Sequence, residues 1–301
     1  MKKNGTLIAF LAYVLWGILP LYWHALDELP ATEILAYRIV WSLVFILGVL
    51  AVTRRWEWLR DVVRRPGAYK RFLLTAAILA VNYGVYLWGN NSGHLVEVSL
   101  GYFINPLVNV LLGMIFLRER LRPWQAAAVC VALIGVLYLT VDYGRLPWIA
   151  LTLALTFGTY GLLRKTARLG SVEGLTLEMM ILFLPSLAYL AIAGSQGKAA
   201  LGHSGLATSL LIVGSGVVTA VPMLMFTYGA RRVTMTTLGI LQYVAPTLQF
   251  LIGVFAFNEP FNTATLVGFL VIWTALAIYW IEGFVAYRRR NSTQVTQIGA
   301  D

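Results

Sequence analysis

Two rows of amides stand out in this chain of 301 residues. Tyr102, Asn105, Asn109 and Gly113 fall at i, i+3, i+7 and i+11, which is one face of a helix. Gln242, Pro246, Gln249 and Gly253 set out a second face by the same rule. An amide both donates and accepts, so such a row can line a polar cavity, or it can join helices. Arg38 and Glu178 lie within apolar segments. A guanidinium there orients or gates a substrate, and a carboxylate there pairs or carries a proton. Arg38 needs a partner: Glu178, Glu33, Glu97 and lipid headgroups are the candidates. Glu33 and Glu97 stand near segment ends, where a carboxylate is either a proton carrier or a helix-start charge favoured by the macrodipole. Asn82 and Tyr86 share a face one turn apart, and Trp16, Trp41, Trp88, Tyr160 and Tyr243 offer rings for a planar solute.

Other chemistries lack their residues. The sequence contains no H-E-x-x-H and no G-x-S-x-G, so no enzyme is expected. His24, His94 and His203 are scattered and make no metal set, and no cofactor is implied. A single cysteine, Cys130, excludes a disulfide framework.

The elements that must position these groups are membrane spans. The chain is 59% hydrophobic and 12% charged, against about a quarter charged for a soluble domain. Apolar runs give ten candidate helices at roughly 6–24, 31–52, 71–91, 97–117, 123–141, 146–163, 175–193, 207–229, 236–257 and 263–285. Twenty of the 23 basic residues fall on one side of these spans, the exceptions being Arg38, Arg145 and Lys198. Cytoplasmic loops carry that excess, so both termini are expected in the cytoplasm. The net charge of +10 is thereby an orientation signal, and nucleic acid is not an expected partner. The expected partners are a small-molecule substrate and membrane lipid; a homodimer is left open.

An internal repeat organises the spans. A shift of 140 residues lays Pro106 on Pro246, Asn109 on Gln249, Leu111 on Leu251, Gly113 on Gly253 and Glu119 on Glu259; near Gly17 the shift is 141, onto Gly158. Both stretches of the 140 shift fall in the fourth span of a five-span set. Five is odd, so the second set enters from the opposite face, an arrangement found in secondary transporters. Residues 1–145 and 146–290 are expected to be the two repeats, and 291–301 a cytoplasmic tail. The expected fold class is an all-α integral membrane protein of ten helices in two inverted five-helix repeats.

Longer strings resemble one family. SLGYFINPLVN at Ser99–Asn109, LLGMIFLRER at Leu111–Arg120, WGILPLYW at Trp16–Trp23, EILAYRIVWS at Glu33–Ser42, YGLLRK at Tyr160–Lys165 and TLGILQYVAPTLQF at Thr237–Phe250 are similar to the RarD family, in the EamA branch of the drug/metabolite transporter superfamily. The resemblance implies a permease of the bacterial inner membrane, working as an exporter of a drug or metabolite. The alternatives are an uncoupled channel-like facilitator and a non-transporting membrane sensor. The expected substrate cavity takes in Arg38, Trp41, Asn82, Tyr86, Tyr102, Asn105, Asn109, Tyr160, Glu178, Gln242, Tyr243 and Gln249, with Glu33, Glu97 and Glu178 as proton-coupling candidates. Few fixed charges in such a cavity favour a neutral, zwitterionic or amphiphilic solute.

Overall fold

The computed structural model describes residues 2–54, 56–64, 66–197, 199–258 and 263–298. Arg55, Arg65, Lys198, Glu259 and Pro260 lie outside the described residues. The described residues form helices and connecting turns: α1 (Lys2–His24), α2 (Ala31–Thr53), α3 (Glu57–Arg64), α4 (Pro66–Asn91), α5 (Leu95–Leu117), α6 (Pro123–Tyr143), α7 (Trp148–Lys165), α8 (Ser171–Ser195), α9 (Gly205–Ala230), α10 (Met235–Gln242), α11 (Val244–Ala256) and α12 (Thr263–Ile298). Among them nine spans are long and apolar enough to cross a membrane, α10 and α11 counting together. The remaining candidate, α7, has 18 residues that include three threonines and end in Arg164-Lys165. It is wedged among α4, α5 and α9, so packing rather than lipid contact sets its composition. Many large apolar side chains along the spans are exposed, with Leu184, Leu206 and Phe255 between 70% and 78% exposed. A surface of that kind suits hydrocarbon.

Two departures from the sequence expectation have local causes. The ninth span is two helices, broken at Tyr243. Pro246 has no N–H for the Gln242 carbonyl, and restarting the helix at Val244 places the proline in a first turn, where it is tolerated. The last helix continues to Ile298, through the stretch expected as a tail, because no proline or glycine stops it between Phe284 and Ile298.

The larger interfaces join the first half of the chain to the second. α5 packs on α7 and α10, α6 on α12, α2 on α8 and α9, α1 on α9 and α11, and α4 on α7. Exchange α1 with α7, α2 with α8, α4 with α9, α5 with α10–α11 and α6 with α12, and each of these pairs becomes itself or another of them, except α2 on α9, whose image is the smaller contact of α4 with α8. The glycines show this at atomic scale. A Cβ on Gly17 would lie 2.7 Å from Leu248, and one on Gly158 would lie 2.8 Å from Val108. Gly17 and Gly158 are repeat mates, and so are Val108 and Leu248. Small residues let helix backbones approach where lipid provides no hydrophobic drive for association.

Hydrogen bonds tie the two ends of the bundle. At the end nearer the termini, Lys165 donates to the carbonyls of Ala230 and Val233, and Arg71 to that of Thr166. At the far end, Glu33 accepts from the Ala200 amide at 2.6 Å, and Glu97 accepts from the Ile149 amide at 2.7 Å and the Tyr143 hydroxyl at 2.6 Å.

Gly17→Leu and Gly158→Leu should each lower stability by about 1–3 kcal/mol, the usual cost of overpacking. Thermal unfolding in detergent measures it; an unchanged melting temperature in both would mean that the glycine contacts are not needed.

Candidate functional site

A cavity of about 260 Å³ lies between the halves. α1 supplies Tyr13, Trp16, Pro20 and Trp23, spaced to share a face; α4 supplies Asn82, Tyr83 and Tyr86; α5 supplies Gly101, Tyr102 and Asn105. From the second half come Leu153 and Phe157 of α7, Thr219 and Met223 of α9, and Gln242, Pro246 and Gln249 around the break between α10 and α11. In α1, α4, α5 and α7 these residues occupy the part of the helix away from the termini.

Arg38, on α2, is the formal charge on this wall, and no carboxylate lines the cavity among the described residues. Its Nε donates to Thr219 Oγ1 at 3.0 Å. Its guanidinium carbon lies 4.6 Å from the ring centre of Trp23 and 5.7 Å from that of Tyr83, so ring faces supply part of the compensation that water would give. The amides divide their capacity. Asn82 Nδ2 donates to the Leu153 carbonyl and Thr156 Oγ1, and Gln249 Nε2 to the Trp16 carbonyl.

Below the cavity, toward the termini, the seam is closed. Asn109 is fully buried, and its Nδ2 donates to Gln242 Oε1 at 2.7 Å and Asn105 Oδ1 at 3.3 Å. Tyr13, Trp16, Phe157, Tyr160 and Phe226 stack into one aromatic plug. Behind it, Glu178 and Arg164 are both fully buried, with Arg164 Nε 3.6 Å from Glu178 Oε1. Thr75 Oγ1 and Tyr160 Oη donate to the same carboxylate at 2.7 and 3.0 Å. Arg164 Nη2 donates to the Ser171 carbonyl at 3.0 Å, and Phe72 lies under the guanidinium. Gly174 is glycine here because a Cβ would collide with Arg164 and Phe72. Glu119 closes the same end: it accepts from the amides of Met235 and Thr236 at 2.7 and 3.0 Å, capping α10.

The expected site residues therefore separate. Arg38, Asn82, Tyr86, Tyr102, Asn105, Gln242 and Gln249 come together on the cavity wall. Asn109 lies one turn below Asn105, inside the seam. Tyr160 and Glu178 belong to the buried charge cluster. Tyr243 points away, its hydroxyl donating to the Phe103 carbonyl at 3.2 Å, because the helix break turns it outward from the row of Gln242 and Gln249. Trp41 packs its backbone against Gly216 at the α2–α9 crossing. Arg38 and Glu178 form no ion pair; each sits at its own mirrored place, Arg38 beside Trp23 and Glu178 beside Arg164. Trp23 and Arg164 are themselves mates under the 141-residue shift. Glu33 and Glu97 lie off the cavity wall, engaged as backbone acceptors. Of the residues that sequence reasoning missed, Arg164 left one trace: it follows Tyr160 by four, on the face that meets Glu178. Tyr83 and Thr219 left none.

Glu178→Ala should be the more damaging change in this cluster, because it strands a buried guanidinium; a loss of about 3–5 kcal/mol is usual for a broken buried pair. Thermal unfolding of Glu178→Ala and Glu178→Gln tests it, with the glutamine variant expected to retain more stability.

Comparison with known proteins places this geometry. The model of the EamA-like transporter family matches residues 3–141 and, a second time, 146–281. The chain is 43% identical to "Protein RarD" of Streptomyces exfoliatus, over 97% of this chain and 92% of that one. It is 43% identical to "Uncharacterized transporter YojE" of Bacillus subtilis, over 92% and 93%. It is 39% identical to "Protein RarD" of Escherichia coli, over 96% and 98%. A solved crystal structure superposes with a TM-score of 0.70 at 21% identity, covering 93% of this chain and 97% of the other, a likeness of fold. A cavity walled by both halves of a multi-span helical bundle agrees with these matches, and the chain belongs to the RarD family of EamA-like transporters.

Proposed function

We propose that this chain is a secondary carrier that moves a small organic solute across the bacterial inner membrane by alternating access, with residues 1–145 and 146–290 as two inverted five-helix units and both termini in the cytoplasm. The observation that carries the reading is an unequal pair of mates. Asn109 and Gln242 are hydrogen-bonded and buried on the side toward the termini. Their repeat mates, Gln249 and Tyr102, are not bonded to each other; both line the cavity. A chain whose halves are alike has two conformations of nearly equal energy, related by exchanging the roles of the halves. In the second conformation Tyr102 and Gln249 close a seam, and Asn109 and Gln242 part to line a cavity facing the cytoplasm. The solute then crosses without a continuous pore. Export is the direction favoured by the resemblance to transporters of the EamA branch.

The Arg164–Glu178 cluster suits such a cycle. Arg164 is wholly buried, yet its Nε and Nη1 have no hydrogen-bond acceptor among the described residues. A closed end satisfied to that degree holds without locking, which a carrier needs if it is to open at each turnover.

The test is a crosslink. In a Cys130→Ser background, Asn109→Cys with Gln242→Cys, and separately Tyr102→Cys with Gln249→Cys, are bridged by a short bismaleimide in proteoliposomes. The solute is one picked out by thermal shift from amino acids, amphenicols and common metabolites. Each crosslink is expected to cut transport by about tenfold or more, holding one side shut. Full-rate transport through either crosslinked protein would exclude alternating access. Asn109→Ala and Gln249→Ala should also slow transport while membrane insertion stays normal; unchanged transport in both would reduce these amides to helix glue.

A further inference from the structure

We infer that the solute is an organic monoanion, a carboxylate on a small planar apolar body, and that Arg38 is the residue that selects it. The inference rests on the carrier reading above and gives the cavity its substrate class. Burying a guanidinium between helices is costly unless an anion compensates it. The mirrored place in the second half shows the compensated form. There Glu178, the mate of Arg38 under the 140-residue shift, meets a guanidinium, a threonine hydroxyl and a tyrosine hydroxyl of the chain itself. Around Arg38 the threonine and the rings are present, as Thr219, Trp23 and Tyr83, but the carboxylate is missing. Among the described residues no Asp or Glu lies within ion-pairing distance of Arg38.

Its Nε is committed to Thr219, and its two terminal nitrogens have no acceptor among the described residues while remaining accessible. A guanidinium offers a planar fork that a carboxylate matches. One such group balances one negative charge, so a dianion would stay undercompensated. A cation would meet Arg38 and no carboxylate. The rest of the wall, with Trp16, Tyr86, Tyr102 and Phe157, provides flat apolar surface, and about 260 Å³ holds one small molecule. Arg38 also joins α2 to α9, so an anion held there touches both halves of the moving seam.

The experiment compares three probes with one body: N-acetyl-phenylalanine (an anion), N-acetyl-phenylalaninamide (neutral) and phenethylamine (a cation). Binding to the full chain in lipid nanodiscs is read by tryptophan fluorescence and thermal shift. Transport is read as counterflow of radiolabelled acid or amide in proteoliposomes. The acid is expected to bind tightest. Arg38→Gln should weaken it by about tenfold or more, with Arg38→Lys recovering part of the loss. Equal binding of the amide or the amine overturns the inference. So do an unchanged affinity of the acid in Arg38→Gln, displacement of the acid by sulfate at equal concentration, and no binding of any probe. The comparison among probes needs no variant, so a misfolded Arg38→Gln protein leaves it decisive. Acid that binds and fails to cross would uphold the anion site and sink the carrier reading. Amide that crosses where acid does not would do the reverse.

Discussion

A polar group inside a bilayer has no water to fall back on, so it must be answered by the protein or by an aqueous cavity that the protein encloses. Serines and threonines of this bundle often bond to their own helix backbone, as Thr176 and Ser186 do, and a second group of polar side chains obeys that constraint in pairs drawn from opposite halves of the chain. Ser42 donates to the Gly216 carbonyl, Asn109 to Gln242, Thr75 to Glu178 and Arg38 to Thr219. The carboxylates at the ends do the same for backbone amides, Glu33 for Ala200, Glu97 for Ile149 and Glu119 for Met235. These bonds decide which helices meet, since apolar surface gains little by leaving lipid for protein. At the cavity the pairing is incomplete: Arg38 keeps Thr219, while its terminal nitrogens have no acceptor among the described residues.

The sequence carried the class of fold and the arrangement of the helices, because span length, charge asymmetry and repeat are properties of the chain itself. Pro106 on Pro246 and Gly17 on Gly158 were visible before any coordinates. Amide rows were visible as well, since helical periodicity fixes a shared face. What periodicity does not fix is depth along that face. Asn105 and Asn109 share one row, yet one reaches the cavity and the other is sealed a turn below it. Arg164 was hidden for a related reason: at the end of a span beside Lys165 it reads as a loop cation, and only packing against Phe72 and Gly174 reveals it as buried. Glu33 and Glu97 were expected as candidates for proton traffic or as helix-start charges, and the structure places both as acceptors of a backbone amide at 2.6–2.7 Å, a contact that no spacing in the sequence announces. The break at Tyr243 was not legible, since Pro106, the mate of Pro246, lies inside an unbroken helix, and the break explains why Tyr243 leaves the row of its neighbours.

The mates also show how two similar halves come to differ. At mated positions Arg38 is the counterpart of Glu178 and Trp23 the counterpart of Arg164. One site is therefore a closed ion pair and the other a cation facing a cavity. A symmetric chain would have two equal sites or none. Here the opposite charges mark which site the protein completes from its own residues and which it leaves for something else.

The dominance of interfaces between halves bears on how the molecule is made. A ribosome delivers α1 to α6 into the membrane before α7 to α12 exist. During that interval Arg38 and Asn109 lack the second-half residues, Thr219 and Gln242, that satisfy them in the finished bundle. Early helices must then wait loosely in lipid, snorkelling or sharing partners, until the later ones arrive and thread between them. Quality control in the cell has the longest access to this protein in that half-made state, so substitutions that slow the arrival of α7 or α10 should lower its abundance even where the mature fold tolerates them.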